Sequence, residues 1–270
     1  MTYPTLAAIV KYPYASSAAG THGKFGFFTS EAKIYQQIAD ELGIFRLSNE
    51  GEPLRYVRHP LAYLMEAADD ICYEIMDIED SHKLKILTYD ETAELLLGFF
   101  DRETQSAIRR RFHEEGVTDQ NEQVVYLRAR AVGLLEMECV KTFVDNEDDI
   151  LNGSFKGSLI DNISYPQRMA YKRCAEISYK KIYRSKPVLD VELSGYKIME
   201  TLMQTLIGAA VHPEKYHSQQ LIGRVSSQYD IQSENLETRI MAVLDYISGM
   251  TDIYALDIYQ KINGISLPLV

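Results

Sequence analysis

The chain has 270 residues, a formal net charge of −11, 46% hydrophobic residues, nineteen tyrosines and no tryptophan. That apolar share can fill the core of one large or two ordinary domains, and the negative balance excludes broad, sequence-independent binding to nucleic acid. No run approaches the ~18 apolar residues of a membrane span, and Met1-Thr-Tyr-Pro4 lacks the basic start of a signal peptide. The three cysteines, Cys72, Cys139 and Cys174, are scattered without a Cys-x-x-Cys pair. They read as buried thiols of a reducing compartment, which places the protein in the cytoplasm.

In chain order, an apolar run from Leu6 to Val10 leads into Lys11-Tyr12-Pro13 and then the loop Gly20-Thr-His-Gly-Lys-Phe-Gly26, which carries Lys24. A helix is expected from Ser30 to Leu42, capped by Thr29 or Ser30 and ended by Gly43. Residues Ile44 to Val57 are the one candidate hairpin. An acidic helix follows at 60–80, with His59 capping its start. Short helices are expected over Glu91–Phe100 and Glu103–Glu115, the second stopped by Gly116. The stretch Glu122–Val144 reads as a long helix with Val125, Ala129, Val132, Leu135, Met137, Val140 and Phe143 on its apolar edges. Pro166–Tyr183 opens with proline in the first turn. Val188–Val211, Leu236–Ser248 and Asp252–Ile262 complete the pattern. The expected class is all-α, one continuous helical unit over residues 1–270 without internal repeats.

The acidic helix carries the most information. Asp69, Tyr73 and Asp77 are spaced i, i+4, i+8 and form one stripe, a carboxylate, a phenol and a carboxylate. Leu61, Leu64, Ala68, Ile71, Ile75 and Ile78 have the spacing of a buried face beside it. A solvated acidic face would also fit this composition, but no lysine or arginine lies between residues 59 and 82 to pair with the acids. Upstream, Lys11, Tyr12 and Lys24 near a glycine-containing turn offer local positive charge for phosphate oxygens. The loop is not a Walker A motif, since Phe25 follows Lys24. His113-Glu-Glu lacks the second histidine of a zincin, and Arg109-Arg-Arg111 reads as an exposed helix face.

The segment Arg58–Asp80 resembles the last metal-ligand helix of the HD-domain deoxynucleoside triphosphate triphosphohydrolases, the dGTPase-like family. Thr5-Leu-Ala-Ala-Ile-Val-Lys-Tyr-Pro13 and Lys24-Phe-Gly-Phe-Phe-Thr-Ser-Glu31 are similar to its phosphate-side segments. Asp245-Tyr-Ile-Ser-Gly-Met-Thr-Asp-Ile-Tyr-Ala-Leu256 is similar to its closing helices, with Tyr254 packing near the pocket. The resemblance implies an HD-superfamily helical domain that hydrolyses a deoxynucleoside triphosphate to the deoxynucleoside and tripolyphosphate. It implies a divalent metal (magnesium or manganese) with Asp69 as a ligand. Lys11, Tyr12 and Lys24 are then expected against the triphosphate, and Tyr73 and Asp77 against the sugar. It also implies a homo-oligomer.

The family's other metal ligands are a first histidine and a His-Asp pair. None of the six histidines here is followed by aspartate. The expectation is therefore a C-terminal portion lacking the N-terminal HD helices, inactive or very weak alone, with an upstream HD-containing half as partner. The alternative is a non-catalytic nucleotide-sensing or oligomerisation remnant; a different HD phosphohydrolase is a third reading. No membrane association and no strong nucleic-acid binding are expected.

Overall fold

A computed structural model describes residues 1–265. Among them are helices and isolated β-bridges but no strand. The class is all-α. The backbone divides into two compact units, residues 1–183 and 184–270.

The first unit contains α1 (Tyr3–Ala8), α2 (Ala32–Leu42), α3 (Pro60–Lys83), α4 (Tyr89–Leu97), α5 (Arg102–Glu114), α6 (Gln120–Asp145), α7 (Glu147–Leu151), α8 (Leu159–Asn162) and α9 (Tyr165–Ile177). Helix α3 is the axle. Its fully buried Ile75 and Ile78 meet Leu96 of α4 and Leu127 and Leu135 of α6 in one apolar cluster. Each such side chain contributes about 1.5–3 kcal/mol of burial. The start of α3 is set by His59, whose Nδ1 accepts the Leu61 N–H at 3.2 Å, and by Pro60 in the first turn. A proline there forfeits no helical hydrogen bond.

The buried face of α3 departs from the expected one at its N-terminal end. Ile71, Ile75 and Ile78 are buried, but Leu61, Leu64 and Ala68 are exposed, and Ala62, Tyr63, Glu66 and Ala67 face inward instead. The reason is local packing. Tyr63 stands edge-on to Phe155 with ring centroids 5.4 Å apart, and Glu66 takes two cations. Helix α6 also differs. Its inward residues are Val124, Leu127, Ala131, Leu135 and Cys139, so of the expected edges Val125, Ala129, Met137 and Val140 lie on the exposed side.

The expected hairpin over Ile44–Val57 is reduced to one antiparallel bridge, Arg46–Tyr56, flanked by Leu47 N–H on the Arg55 carbonyl at 2.7 Å and Val57 N–H on the Phe45 carbonyl at 2.9 Å. The N-terminal segment pairs with the second arm as well. Ala15 N–H donates to the Leu54 carbonyl at 3.0 Å, and Tyr56 N–H donates to the Pro13 carbonyl at 2.9 Å. Phe27 stacks on Tyr35 beneath this crossing, 4.4 Å between centroids. The expected helix to Tyr183 is α-helical only to Ile177 and then widens into a π-turn, Ser178–Ile182, closed by Tyr183 N–H on the Ser178 carbonyl.

The second unit consists of α10 (Lys186–Val211), α11 (Tyr216–Ile222), α12 (Leu236–Ser248) and α13 (Asp252–Ile262). Leu202, Leu206, Ala210, Val243, Ile247 and Ile258 form its own apolar cluster. No helix among the described residues is long and apolar enough to cross a membrane.

Candidate functional site

Helix α3 carries a longer row of acids than spacing alone singled out. Glu66, Asp70, Glu74 and Asp77 recur at i, i+4, i+8 and i+11, one stripe of an α-helix. Glu66 and Glu74 are buried, while Asp70 and Asp77 are half-buried. Such a row inside a protein requires partners, because an unpaired buried carboxylate is costly. Each acid has one.

Glu66 is clamped by two cations from the preceding chain. Lys11 Nζ lies 3.2 Å from its Oε1 and 3.9 Å from the Asp70 carboxylate. Arg58 Nη1 donates to its Oε2 at 2.7 Å, and the Arg58 guanidinium also lies over the Tyr63 ring. Burial pulls the Lys11 ammonium down, but the Glu66 hydrogen bond and the charges of Glu66 and Asp70 outweigh it and hold the group above its ordinary range. Lys24 Nζ donates to the Tyr12 hydroxyl at 3.2 Å and sits over that ring. Lys11 thus meets α3 near its N-terminal end, with Tyr12 beside it and Lys24 on the far side of the Tyr12 ring. Gly26 makes this possible, since a Cβ there would lie 2.2 Å from the Tyr12 carbonyl oxygen and 2.4 Å from Val10.

The other end of the row meets α9 and its π-turn. Buried Ser178 donates to Glu74 Oε1 at 2.6 Å, and the Tyr183 hydroxyl donates to Asp77 Oδ2 at 2.7 Å. Tyr171 donates to the Asp70 backbone carbonyl at 3.0 Å. Burial raises the Glu74 and Asp77 carboxyls above the usual carboxylate range, with the Ser178 and Tyr183 hydrogen bonds opposing it. Burial, then the Asp77 hydrogen bond, pushes the Tyr183 phenol up in turn. Sequence reasoning missed Arg58, Glu66, Glu74, Ser178 and Tyr183 as members of this site. The i, i+4, i+8 recurrence of Glu66, Asp70 and Glu74 was a usable signal; Ser178 and Tyr183 lie more than a hundred residues away and left none.

Asp69 and Tyr73 lie on the solvent side of the same helix, Tyr73 at 63% exposure. The expected stripe is therefore real, with Asp77 turned toward the protein and the other two turned out. Among the described residues no group of three or more histidine, cysteine, aspartate or glutamate side chains is placed to hold a metal ion. Asp69 alone does not fit a divalent metal, which requires several preorganised ligands. Two other motifs have local partners. Arg111 pairs with Glu115 at 2.9 Å on the surface of α5, and Tyr254 shares a hydrogen bond with Tyr246 inside the second unit.

Residues 163–261 match the phosphohydrolase-associated domain family. Over 99% of its length the chain is 32% identical to a deoxyguanosinetriphosphate triphosphohydrolase-like protein of Pseudomonas aeruginosa, covering 61% of that relative. Over nearly its whole length the chain is similar to dGTPase-like proteins. Two further family members share 28% identity (Synechocystis, a deoxyguanosinetriphosphate triphosphohydrolase-like protein) and 27% identity (Serratia proteamaculans, a deoxyguanosinetriphosphate triphosphohydrolase). In each case the chain spans about 60% of the dGTPase-like relative.

Proposed function

We propose that this chain is the phosphate- and sugar-binding part of a dNTP triphosphohydrolase that converts a deoxynucleoside triphosphate to the deoxynucleoside and tripolyphosphate. The observation that carries the reading is the docking of the Lys11–Tyr12 segment on α3, with Lys11 3.9 Å from Asp70, the immediate neighbour of Asp69. That contact brings the Lys11 ammonium to the residue next to Asp69. In this reading Lys11, Tyr12 and Lys24 neutralise and orient the phosphate tail, Lys11 exchanging its carboxylate partners for phosphate oxygens. Tyr73 packs on the sugar, and Asp77, oriented by Tyr183, accepts a hydrogen bond from a sugar hydroxyl.

A divalent metal bound in the assembled enzyme would supply Lewis-acid activation. Asp69 would be its one ligand from this chain, the HD histidines and aspartate coming from an upstream half. Leu61, Met65, Ala68, Cys72 and Met76 run along α3 next to Asp69, Met65 half-covered and the rest exposed. This apolar strip is the surface such a half would cover. The isolated chain is then inactive or very weak.

The reading is tested by titrating dGTP into the isolated chain by calorimetry, and by assaying tripolyphosphate release after co-expression with an HD-containing segment. Binding is expected to weaken at least ~10-fold in Lys11→Ala, the loss of a charge-assisted contact. Turnover of the reconstituted enzyme is expected to vanish in Asp69→Ala. An unchanged affinity in the first variant, or retained turnover in the second, would remove that residue from the site. A second reading, a nucleotide-sensing remnant, is favoured by the pairing of Lys11 with Glu66 in the chain as it stands. It predicts metal-independent dNTP binding with no turnover under any reconstitution.

A further inference from the structure

The second unit holds a cavity of about 440 Å³ between the end of α10, α11 and the loop that leads into α12. That size is within the range of small-molecule sites. Pro213, Ile222 and Ile231 supply apolar walls, and among the described residues the two charged ones that line it are Arg239 and Glu234. The guanidinium is fixed by backbone. Its Nε donates to the Ala210 carbonyl at 2.8 Å, and its Nη1 donates to the Ser233 and Glu234 carbonyls at 2.8 and 3.1 Å. Ala210 lies in the last turn of α10, where carbonyls have no partner within the helix. Three of the five N–H groups are thereby used, and the two on Nη2 remain. Nη2 is neither buried nor bonded to any described residue. Nor does any carboxylate among the described residues pair with Arg239. Glu234 is exposed, and its carboxylate has no partner among them either, although its own backbone carbonyl accepts from Arg239. A mobile arginine would close on that acid, whereas this one is held in place by three carbonyls.

We propose that this cavity binds a free α-amino acid with an aliphatic side chain. Its carboxylate accepts from Arg239 Nη2, its ammonium faces the Glu234 carboxylate, and its side chain lies on Pro213, Ile222 and Ile231. The charge pattern selects this class. A cation and an anion that share a cavity without pairing are complementary to a ligand that carries both charges. Among the described residues no aromatic ring lines the walls, which suits a branched aliphatic chain rather than a stacked one. A simple carboxylate would bring a second negative charge beside Glu234, and a simple amine would meet the fixed guanidinium. A phosphate ester fits less well, because Nε and Nη1 are taken and the fork that grips such groups bidentately is not available. The inference concerns the second unit alone and does not rest on the triphosphohydrolase reading.

Calorimetry and ligand-observed NMR on the full chain test it, with leucine as the probe. Leucine is expected to bind with a Kd of ~1 mM or tighter. Isocaproate, which lacks the ammonium, and isoamylamine, which lacks the carboxylate, should each bind at least ~10-fold more weakly. Glu234→Gln removes an exposed charge outside every helix and should leave the melting temperature unchanged. It should weaken leucine binding about 5-fold and leave isocaproate no weaker. Arg239→Gln should abolish leucine binding. Because it also frees three carbonyls, its melting temperature is measured alongside, and if it melts early Glu234→Gln and the two truncated ligands decide the matter. Absence of leucine binding at ~10 mM would overturn the proposal. So would isocaproate binding as tightly as leucine, the mark of a plain anion site, or a leucine affinity unchanged in Glu234→Gln.

Discussion

At the scale of single residues, the acids of α3 are held by specific partners, and each partner makes a prediction. Glu66 is buried between Lys11 and Arg58. Glu66→Ala leaves two cations facing each other and should destabilise the fold by about 2 kcal/mol. That is below the ~3–5 kcal/mol of a fully buried pair, because both cations keep partial access to water. Urea denaturation measures it, and a loss under ~0.5 kcal/mol would mean the clamp is idle. Glu74 differs, because burial dominates and its folded carboxyl sits above the ordinary value of 4.5. Between those two values the folded state holds more protons than the unfolded state, so stability is highest below the ordinary value and falls as pH rises through the folded one. Glu74→Gln keeps an acceptor for Ser178 and removes the charge. Its melting temperature should match wild type below the ordinary carboxyl value and exceed it as pH rises through the folded value, levelling off above it; parallel curves would show that Glu74 is not the titrating group.

At the scale of elements, the site depends on how closely the Lys11–Tyr12 segment crosses the Lys24–Phe27 strip. Gly26 sets that crossing, and Gly26→Ala must displace the Tyr12 carbonyl, Val10 or itself. Overpacking of this kind costs about 1–3 kcal/mol. The expected result is a lower melting temperature together with weaker dNTP binding, since Lys11 and Lys24 move with the segment. Normal stability and binding would mean that the crossing relaxes without disturbing the lysines. The same scale explains the π-turn. By widening the helix after Ile177, it sets Ser178 against Glu74 and Tyr183 against Asp77 across the same interface with α3. No periodicity in Pro166–Tyr183 announces this, because a π-turn is stabilised by partners rather than by propensity.

At the scale of the whole molecule, the helix core and the exposed end of the candidate site differ in what a substitution does to stability. Leu135 is fully buried at the α3–α6 contact, and Leu135→Ala should cost about 2–5 kcal/mol. Asp69 is exposed, and Asp69→Asn should shift stability by less than ~0.5 kcal/mol. Paired thermal melts check both, and a marked loss in Asp69→Asn would make it a structural rather than a ligand-binding carboxylate. The division at Tyr183–Arg184 separates two apolar clusters. Neither was legible as a boundary, because no proline- or glycine-rich linker marks it and α10 begins three residues after Tyr183.

The helices were legible from the chain because apolar spacing, caps and prolines act within a few turns. Leu236–Ser248 and Asp252–Ile262 have the bounds that spacing predicts, and His59 caps α3 as expected. The order Asp69, Tyr73, Asp77 along one helix was legible for the same reason. Tertiary structure alone decided which flank of α3 and α6 turns inward, that residues 54–56 pair with the N-terminal segment as well as with residues 45–47, and that Arg58, Ser178 and Tyr183 join the acidic row. Those choices depend on residues up to 106 positions apart. Burying a carboxylate is tolerable only where the whole fold delivers its partner.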